Sequence, residues 1–233
     1  RPFGSAFLFK QPDNYSELPV HQDWTIVDEE KYVALNIWVP LCDTNENNGT
    51  LYVLPGSQYG VVKALRCPTV PMFFEGYEQL MIDHCIPIIA KAGEAVILNQ
   101  SIVHYSPSNN SDKIRVAITS GVMSAEPKMV FHYRSPEMKE EIEMIEMGDD
   151  FLLRWENFME AIYRRPEMGK SIGTKKYTAF NYSKEELQRL IAEMKMKAGI
   201  DMPTTKNNMS VNNETTKAKP KSFFKKLLAA VGV

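Results

Sequence analysis

The sequence predicts a mainly β protein, either a sandwich or a jelly-roll barrel, followed by helices near its C-terminal end. Short stretches rich in β-branched and aromatic residues recur over the first 135 residues, with turn-forming Asn, Pro and Gly between them. Helical spacing of apolar residues begins only after about Pro136. Many short strands without alternating helices favour a two-layer or barrel β fold over a repeated βα fold.

The composition is that of an ordinary globular protein. The chain has 233 residues, of which 44% are hydrophobic and 24% charged, and its net charge of −2 gives no reason to expect nucleic acid as a partner. No apolar run approaches the roughly 20 residues that a membrane-spanning helix needs. The three cysteines lack CxxC spacing, which argues against a disulfide framework and favours a reducing, cytoplasmic location.

Seven strands are predicted in the first 123 residues. The stretch 32–41 is apolar on both faces, as expected of a strand buried inside a two-layer structure. The turns Asn47-Asn48-Gly49 and Pro55-Gly56-Ser57 are interpreted as hairpin turns, and 86–90 with 95–98 as a strand pair. Residues 61–85 are irregular, which suggests either a substrate-facing lid or a plain loop. The predicted strands are 3–10, 20–24, 32–41, 51–54, 86–90, 95–98 and 115–123.

The chain divides into a β core over residues 1–135, a helical extension packed on it over 136–200, and a tail. Apolar residues from Phe151 to Ile162 recur at helical spacing, and Ser183 with Glu186 forms a capping box ahead of a second helix. Residues 201–222, rich in Lys, Asn and Thr, are expected to be a disordered linker. The basic amphipathic segment 223–233 has three interpretations: a disordered end, a helix docked on the core or a partner, or a weak membrane-surface contact.

A candidate metal site combines His21 and Asp23 with His104. Residues two apart in an extended strand project to the same face, so His21 and Asp23 can direct an imidazole and a carboxylate at one point. A third ligand from His104 would complete the set. Two histidines and one carboxylate form the facial triad of non-heme Fe(II) oxygenases, which leaves coordination positions open.

Arg115 follows His104 by eleven positions. An oxygenase that binds a keto acid through two chelating oxygens must also hold the acid's distal carboxylate. A forked guanidinium on the adjacent strand suits that requirement.

With these motifs in order, the chain from about Phe3 to Met123 resembles the phytanoyl-CoA dioxygenase (PhyH-type) family of Fe(II)/2-oxoglutarate oxygenases. The H-x-D pair, the distal histidine and the arginine carry the resemblance together with further matches in consistent order. These further matches are Trp38, Asn47-Asn48-Gly49-x-Leu51, Pro55-Gly56-Ser57, Ala92-Gly93-Glu94 and His104-x-Ser106-x-x-Asn109.

The resemblance implies a double-stranded β-helix (jelly-roll, cupin-like) core, with a helical region before it that this chain begins too late to contain. It implies that His21, Asp23 and His104 ligate Fe(II), and that 2-oxoglutarate and dioxygen are the other reactants. Arg115 would bind the distal carboxylate of 2-oxoglutarate, and Ser106 and Trp38 would line its pocket.

The resemblance also implies a type of reaction. Relatives that halogenate replace the carboxylate ligand with a small residue, so the presence of Asp23 implies hydroxylation. The expected reaction is hydroxylation of an unactivated C–H bond in a small-molecule or acyl-type substrate, with release of succinate and carbon dioxide.

Two alternatives stay open at this point. One is a catalytically silent jelly-roll binding module, recruited to a membrane or a partner by the basic C-terminal segment. The other is a cupin-like enzyme that does not use 2-oxoglutarate. The missing H-x-H-x-x-x-x-E cluster and the presence of Arg115 count against the second. The sequence does not assign an oligomeric state.

Overall fold

Short β-strands dominate the part of the chain described in this computed structural model, residues 1–13, 15–59, 65–138, 140–148, 150–154 and 161–200. Each of the seven strands predicted over the first 123 residues is present, and β8 has the predicted bounds. The strands are β1 (Pro2–Lys10), β2 (Leu18–His21), β3 (Ala34–Pro40), β4 (Leu51–Val53), β5 (Ile86–Ile88), β6 (Val96–Asn99), β7 (His104–Ser106), β8 (Arg115–Met123), β9 (Met129–Tyr133), β10 (Glu141–Met147) and β11 (Lys170–Lys176). The α-helices among the described residues are α1 (Glu78–Ile82) and α2 (Lys184–Lys197).

The first eight strands form two four-stranded antiparallel sheets. The larger sheet, here called the major sheet, has the order β1-β8-β3-β6, and the minor sheet has the order β2-β7-β4-β5. The chain alternates between the sheets from β1 to β4, and two four-stranded antiparallel sheets of this kind form a jelly roll. The predicted fold class, a jelly-roll core with flanking C-terminal helices, is therefore confirmed, and α2 is the C-terminal helix among the described residues.

The hairpins predicted from the turn residues are absent, however. β3 lies in the major sheet and β4 in the minor sheet, and β5 and β6 are likewise separated. The prediction that 86–90 and 95–98 pair with each other is wrong, because β5 pairs with β4 and β6 pairs with β3. Gly and Asn permit a reversal of chain direction, but they do not specify whether the next strand stays in the same sheet.

An apolar layer lies between the two sheets next to the candidate site. Trp38 and Leu98 of the major sheet pack there against Leu51, Val53 and Ile88 of the minor sheet. These contacts fix the distance between the sheets, and therefore the width of the space into which side chains from both sheets project.

The outer face of the minor sheet is also apolar and is covered by later parts of the chain. Val20, Leu54 and Tyr105 of this face pack against Leu187 and Ile191 of α2. In the irregular segment, of which 65–85 is described, Phe73, Phe74 and Met81 join the same cluster. Consecutive strand residues point to opposite faces, so Val20 and Tyr105 lie on the face opposite His21 and His104. Phe73, Phe74 and Met81 pack on that same outer face. They support the sheet rather than form a lid over the candidate site.

Helix α2 begins at the predicted capping box. Ser183 Oγ accepts a hydrogen bond from the Glu186 amide at 3.2 Å, and Glu186 Oε2 accepts one from the Ser183 amide at 2.7 Å. The last turn of α2 lies against the turn after β4, where a Cβ on Gly56 would collide with the Met194 carbonyl oxygen. Gly56 therefore permits a close approach between helix and sheet that any other residue would prevent.

The expectation of an entirely helical extension over 136–200 is wrong for 141–147 and 170–176. Strands β9, β10 and β11 form a third antiparallel sheet, and its cluster includes Met129, Phe131 and Ile145. Glu and Met favour helices, so β10 (EIEMIEM) resembles one by propensity, but neighbouring strands on both sides hold it extended. This pairing between distant residues outweighs a weak local preference.

Several sequence predictions fall outside the described residues. Residues 155–160, which make up most of the helical pattern that starts at Phe151, are among them; residues Phe151–Leu153 form a 3-10 turn. The predicted linker 201–222 and the amphipathic segment 223–233 are outside as well. Among the described residues, no helix combines the length and apolar character needed to cross a bilayer. The three cysteines are free.

Candidate metal and keto-acid site

The two candidate histidines lie opposite each other on neighbouring strands of the minor sheet. His21, the last residue of β2, pairs in register with His104, the first residue of β7. Their ring centroids are 4.2 Å apart. Antiparallel pairing directs both imidazoles to the inner face of the sheet, because directly opposed residues project to the same side.

Backbone carbonyls fix the orientation of both rings. His21 Nδ1 donates a hydrogen bond to the Pro19 carbonyl at 2.7 Å, and His104 Nδ1 donates one to the Ile102 carbonyl at 2.9 Å. A carbonyl oxygen can only accept, so each Nδ1 carries the proton and each Nε2 keeps a lone pair. This is the arrangement that metal-binding histidines use.

Asp23 completes the cluster from just beyond the end of β2. Its Oδ1 is 3.8 Å from His21 Nε2, and its Oδ2 is 4.0 Å from His104 Nε2. One ligand atom from each of the three residues lies within 4.8 Å of the other two. The set can therefore share one metal ion, and it is the one cluster of three or more such side chains among the described residues.

The reason why Asp23 and His21 converge differs from the expected one. The strand ends at His21, so simple strand alternation does not position Asp23. Its amide instead donates to the Gln100 carbonyl at 3.0 Å, and its carbonyl accepts from Arg66 Nε at 2.7 Å. Arg66 is held in turn by a two-point ion pair with Glu29. Long-range contacts thus fix the backbone of Asp23.

Asn36 orients the Asp23 carboxylate. Asn36 Nδ2 donates to Asp23 Oδ2 at 2.5 Å from the middle of β3, on the major sheet. Hydrogen bonds to a ligating carboxylate hold it in place and tune its affinity for metal. The sequence interpretation missed Asn36. The available signal was a single amide inside the otherwise apolar stretch 32–41.

Burial keeps His21 neutral. Loss of hydration, together with the neighbouring His104 ring, lowers the pKa of His21 to about 4, although Asp23 acts in the opposite direction. A neutral imidazole is the form that binds a metal. At neutral pH His21 therefore offers a neutral nitrogen donor to the cluster.

A cationic pocket lies two residues further along β7. Arg115 is 4% exposed, and its Nη2 donates to the Gly49 carbonyl at 3.0 Å. The same Nη2 is 3.3 Å from Ser106 Oγ, which itself donates to the Gly49 carbonyl at 2.8 Å. Arg115 Nε and Nη1 are buried without a hydrogen-bond acceptor among the described residues. Buried donors of this kind require an acceptor, and a carboxylate matches a guanidinium fork.

Trp38 forms one wall of this pocket. The guanidinium carbon of Arg115 lies 5.7 Å from the centroid of the Trp38 ring, within range of a cation–π interaction. Trp38 is also part of the apolar cluster between the sheets. It therefore both packs in the core and supports Arg115. All six side chains singled out from the sequence thus lie on the interior of one barrel.

The distance between the two parts of the site follows from strand geometry. His104 and Ser106 are two residues apart on β7 and face the same way, which places their Cα atoms about 7 Å apart. A five-carbon dicarboxylic keto acid is long enough to bridge the metal cluster and the Arg115 pocket.

The model of the phytanoyl-CoA dioxygenase (PhyH) family matches residues 1–117, half of the chain. The chain belongs to the phytanoyl-CoA dioxygenase family. The match includes every candidate site residue named from the sequence, from His21 to Arg115. Family membership agrees with the resemblance that the ordered motifs indicated.

Curated relatives of this chain include proteins from animals and plants. "Phytanoyl-CoA dioxygenase domain-containing protein 1" of Danio rerio is 34% identical over 129 residues, which cover 52% of this chain and 44% of that protein. "Phytanoyl-CoA dioxygenase 1" of Oryza sativa subsp. japonica is 27% identical over 124 residues, with the same coverage. The chain spans about half the length of the curated relatives it matches.

Among solved structures, this chain is similar to the non-heme alpha ketoglutarate dependent carbocyclase SnoK from nogalamycin biosynthesis. The TM-score is 0.47 at 21% identity, and the match covers 56% of this chain and 51% of SnoK. This likeness is too weak to add to the family assignment.

Proposed function

We propose that this chain carries the active site of an Fe(II)- and 2-oxoglutarate-dependent dioxygenase. The proposed reaction is hydroxylation of an unactivated C–H bond in a small-molecule or acyl-type substrate. One observation carries the proposal: a two-histidine, one-carboxylate cluster and a buried arginine with two unsatisfied guanidinium nitrogens lie in the same barrel.

The residues present fit both groups. His21, Asp23 and His104 would hold Fe(II), since imidazole and carboxylate on one side leave positions open for other ligands. Arg115 and Ser106 would bind the distal carboxylate of 2-oxoglutarate, which supplies the acceptor that Arg115 Nε and Nη1 lack. When bound, Fe(II) and 2-oxoglutarate supply an oxidant made from dioxygen, with succinate and carbon dioxide as the other products.

The chain's own contribution is position and exclusion of water. The carbonyls of Pro19 and Ile102 hold the imidazoles, and Asn36 holds the carboxylate, so the donor atoms converge before a metal binds. Arg115 is almost fully buried, which strengthens its attraction for an anion by lowering the local dielectric. Fixed geometry of this kind reduces the reorganisation needed during reaction.

A binding experiment and a turnover experiment together test the proposal. Adding Fe(II) and 2-oxoglutarate to the full chain without air should produce the visible charge-transfer band of a metal-bound keto acid. Admission of air should then release succinate. Acyl thioesters and free acids are then added one at a time, and a compound that is a substrate should accelerate succinate release. A wild-type chain that gives no band contradicts the proposal.

Asp23→Ala is the decisive variant for the site. In chloride-free buffer, removal of the carboxylate ligand should strongly weaken the band, because two imidazoles alone hold Fe(II) weakly. Asp28→Ala is the matched control, since Asp28 is a half-exposed aspartate that pairs with Lys31 on the surface. An unchanged band in Asp23→Ala would show that the metal ligands are wrongly assigned.

A further inference from the structure

Lys10 is a second buried cation beside Arg115. Lys10 ends β1 and is 5% exposed, although lysine is seldom buried without an anionic partner. It pairs in register with Arg115 across β1 and β8, so both side chains project to the interior of the barrel. The sequence interpretation did not single out this residue.

The ammonium group of Lys10 bonds only to neutral acceptors. Its three N–H groups donate to the carbonyls of Ser16 at 2.6 Å, Ser106 at 3.0 Å and Pro107 at 2.6 Å. An ammonium has three donors, so all of them are used. No carboxylate of the described residues forms an ion pair with Lys10 or Arg115, although Asp13 and Glu17 lie near enough to Lys10 to favour its charged form.

Lys10 also touches the other elements of the pocket. A Cβ on Gly49 would come within 2.5 Å of Lys10 Cδ, so the lysine stem packs directly on the residue whose carbonyl accepts from Arg115 and Ser106. The Lys10 carbonyl accepts from Asn109 Nδ2 at 2.9 Å. Lys10 therefore fixes the end of β7, from which the Ser106 hydroxyl projects.

Two cations buried side by side without an anion are unfavourable. Burial, and then the charge of Arg115, lower the pKa of Lys10 to about 8. An anion bound at Arg115 would relieve both effects, because each cation would then face an opposite charge. The pocket thus has excess positive charge beyond the one guanidinium that a carboxylate needs.

We propose that Lys10 is a positioning residue that makes the pocket selective for keto acids with a second carboxylate, by holding Ser106 in place and adding a buried positive charge. The inference rests on the proposed function and deepens it. It assigns the preference for a dicarboxylate to two cations rather than to Arg115 alone.

The test compares two keto acids that chelate the metal alike. 2-Oxoglutarate has the distal carboxylate and pyruvate lacks it, and the binding of each to the Fe(II)-loaded full chain is measured by calorimetry without air. Lys10→Met, which keeps the length of the stem and removes the charge, should weaken 2-oxoglutarate binding about tenfold, because a buried positive charge would no longer attract the distal carboxylate. Pyruvate binding should change less than about twofold, since it has no distal charge to attract.

Two further variants separate charge from structure. Lys10→Gln retains two N–H donors without the charge and should behave like Lys10→Met. Lys113→Met, which removes an exposed lysine from the β7–β8 loop, should bind both keto acids as wild type does. Equal loss of both keto acids in the Lys10 variants would show a purely structural role and overturn the proposal, as would unchanged binding of both.

Binding at two pH values by a Cys42→Ser chain that keeps Lys10 covers the case in which neither Lys10 variant folds. The ratio of 2-oxoglutarate to pyruvate affinity should fall between pH 7 and 9.5 as Lys10 loses its charge, and a constant ratio would overturn the proposal. The other charged groups that face Lys10 are Asp13, Glu17 and Arg115. Cys42, which faces Arg115, is replaced by serine in both samples. Absence of any 2-oxoglutarate binding by wild type would instead contradict the proposed function.

Discussion

The two faces of the minor sheet differ in chemistry although their residues are neighbours in the chain. Val20 and Tyr105 point outward into an apolar cluster that α2 covers. Their neighbours His21 and His104 point inward and form the candidate metal site with Asp23. The outer face gains stability from burial, whereas the inner face carries groups that are costly to hold together.

This division has a physical reason. Two imidazoles 4.2 Å apart, and an arginine with buried unsatisfied N–H groups, lower stability unless other contacts offset them. Burial of large apolar side chains on the opposite face provides that offset, at roughly 25 cal/mol per Å² of apolar surface. Changes to the outer face should therefore affect folding, and changes to the inner face should affect binding.

The largest expected effect is on the outer face. Ile191→Ala should reduce the free energy of unfolding by about 2–5 kcal/mol, because Ile191 is 1% exposed and its loss leaves a cavity. Urea denaturation measures the change, and Fe(II) affinity of the folded variant should stay the same. Met196→Ala on the exposed side of α2 is the control, with an expected change within about 0.5 kcal/mol. A large loss of metal affinity in folded Ile191→Ala would show that the outer face of the minor sheet also affects metal binding, which contradicts the proposed division of roles.

His132 lies outside the candidate metal site, and a comparison with His21 tests whether the two regions can be changed independently. Burial lowers the pKa of His132 to about 4, and its Nδ1 donates to the Thr25 carbonyl at 2.8 Å. Between pH 6.5 and 4 the unfolded chain binds more protons than the folded one, so stability falls as the pH drops through this range. The contribution of His132 is of order 3 kcal/mol, from about 1.4 kcal/mol per pKa unit.

His132→Asn, which keeps a donor for Thr25, should remove most of that pH dependence. Unfolding free energies of the metal-free protein at pH 7 and 4.5 measure it. Because the proposed site binds Fe(II) through neutral His21 and does not include His132, added metal should steepen the remaining pH dependence in both proteins equally. Identical pH profiles of wild type and His132→Asn would contradict the assignment.

Arg115→Leu tests the inner face directly. The variant should weaken 2-oxoglutarate binding by about 1.5–3 kcal/mol, the usual contribution of a hydrogen bond to a charged group. Its stability should be unchanged or higher, since a buried and incompletely paired cation is removed. Calorimetry and urea denaturation provide the two values. A loss of stability as large as that of Ile191→Ala would show that Arg115 serves the core.

Asn36→Ala should produce the smallest of these effects. Loss of its hydrogen bond to Asp23 should weaken Fe(II) binding about 10–100-fold, the range for residues that orient metal ligands. Competition with a chelator measures the affinity. Asn36→Asp, which places a second carboxylate beside Asp23, should be more harmful than Asn36→Ala. Equal affinity in wild type and Asn36→Ala would remove Asn36 from the site.

Much of the fold was predictable from local patterns. Alternation and turn residues indicated β1 to β6 and β8, whereas the three-residue strand β7 was not predicted. The bounds of β8 and the capping box at Ser183 agree with the prediction. Failures occurred where local preference and distant pairing disagree. β10 has a helix-favouring composition but is paired on both edges, and the turns before β4 and β6 lead to the opposite sheet.

The sequence by itself determined which chemical groups are available and in what order. His21, Asp23, His104 and Arg115 follow one another at the spacing of a recognisable family, and that order alone was sufficient to predict a metal and keto-acid site. Local spacing carries such information because each motif occupies a few residues on one strand or turn.

Only the tertiary structure decided which faces these groups share and what supports them. Asn36 reaches Asp23 from the other sheet, and Lys10 bonds to the carbonyl of Ser106 at a separation of 96 positions. Neither contact leaves a local pattern, because each depends on strands that pair only after the whole barrel closes. The reactive side chains are thus recognisable from local sequence, whereas the contacts that orient them form only between residues distant in the chain.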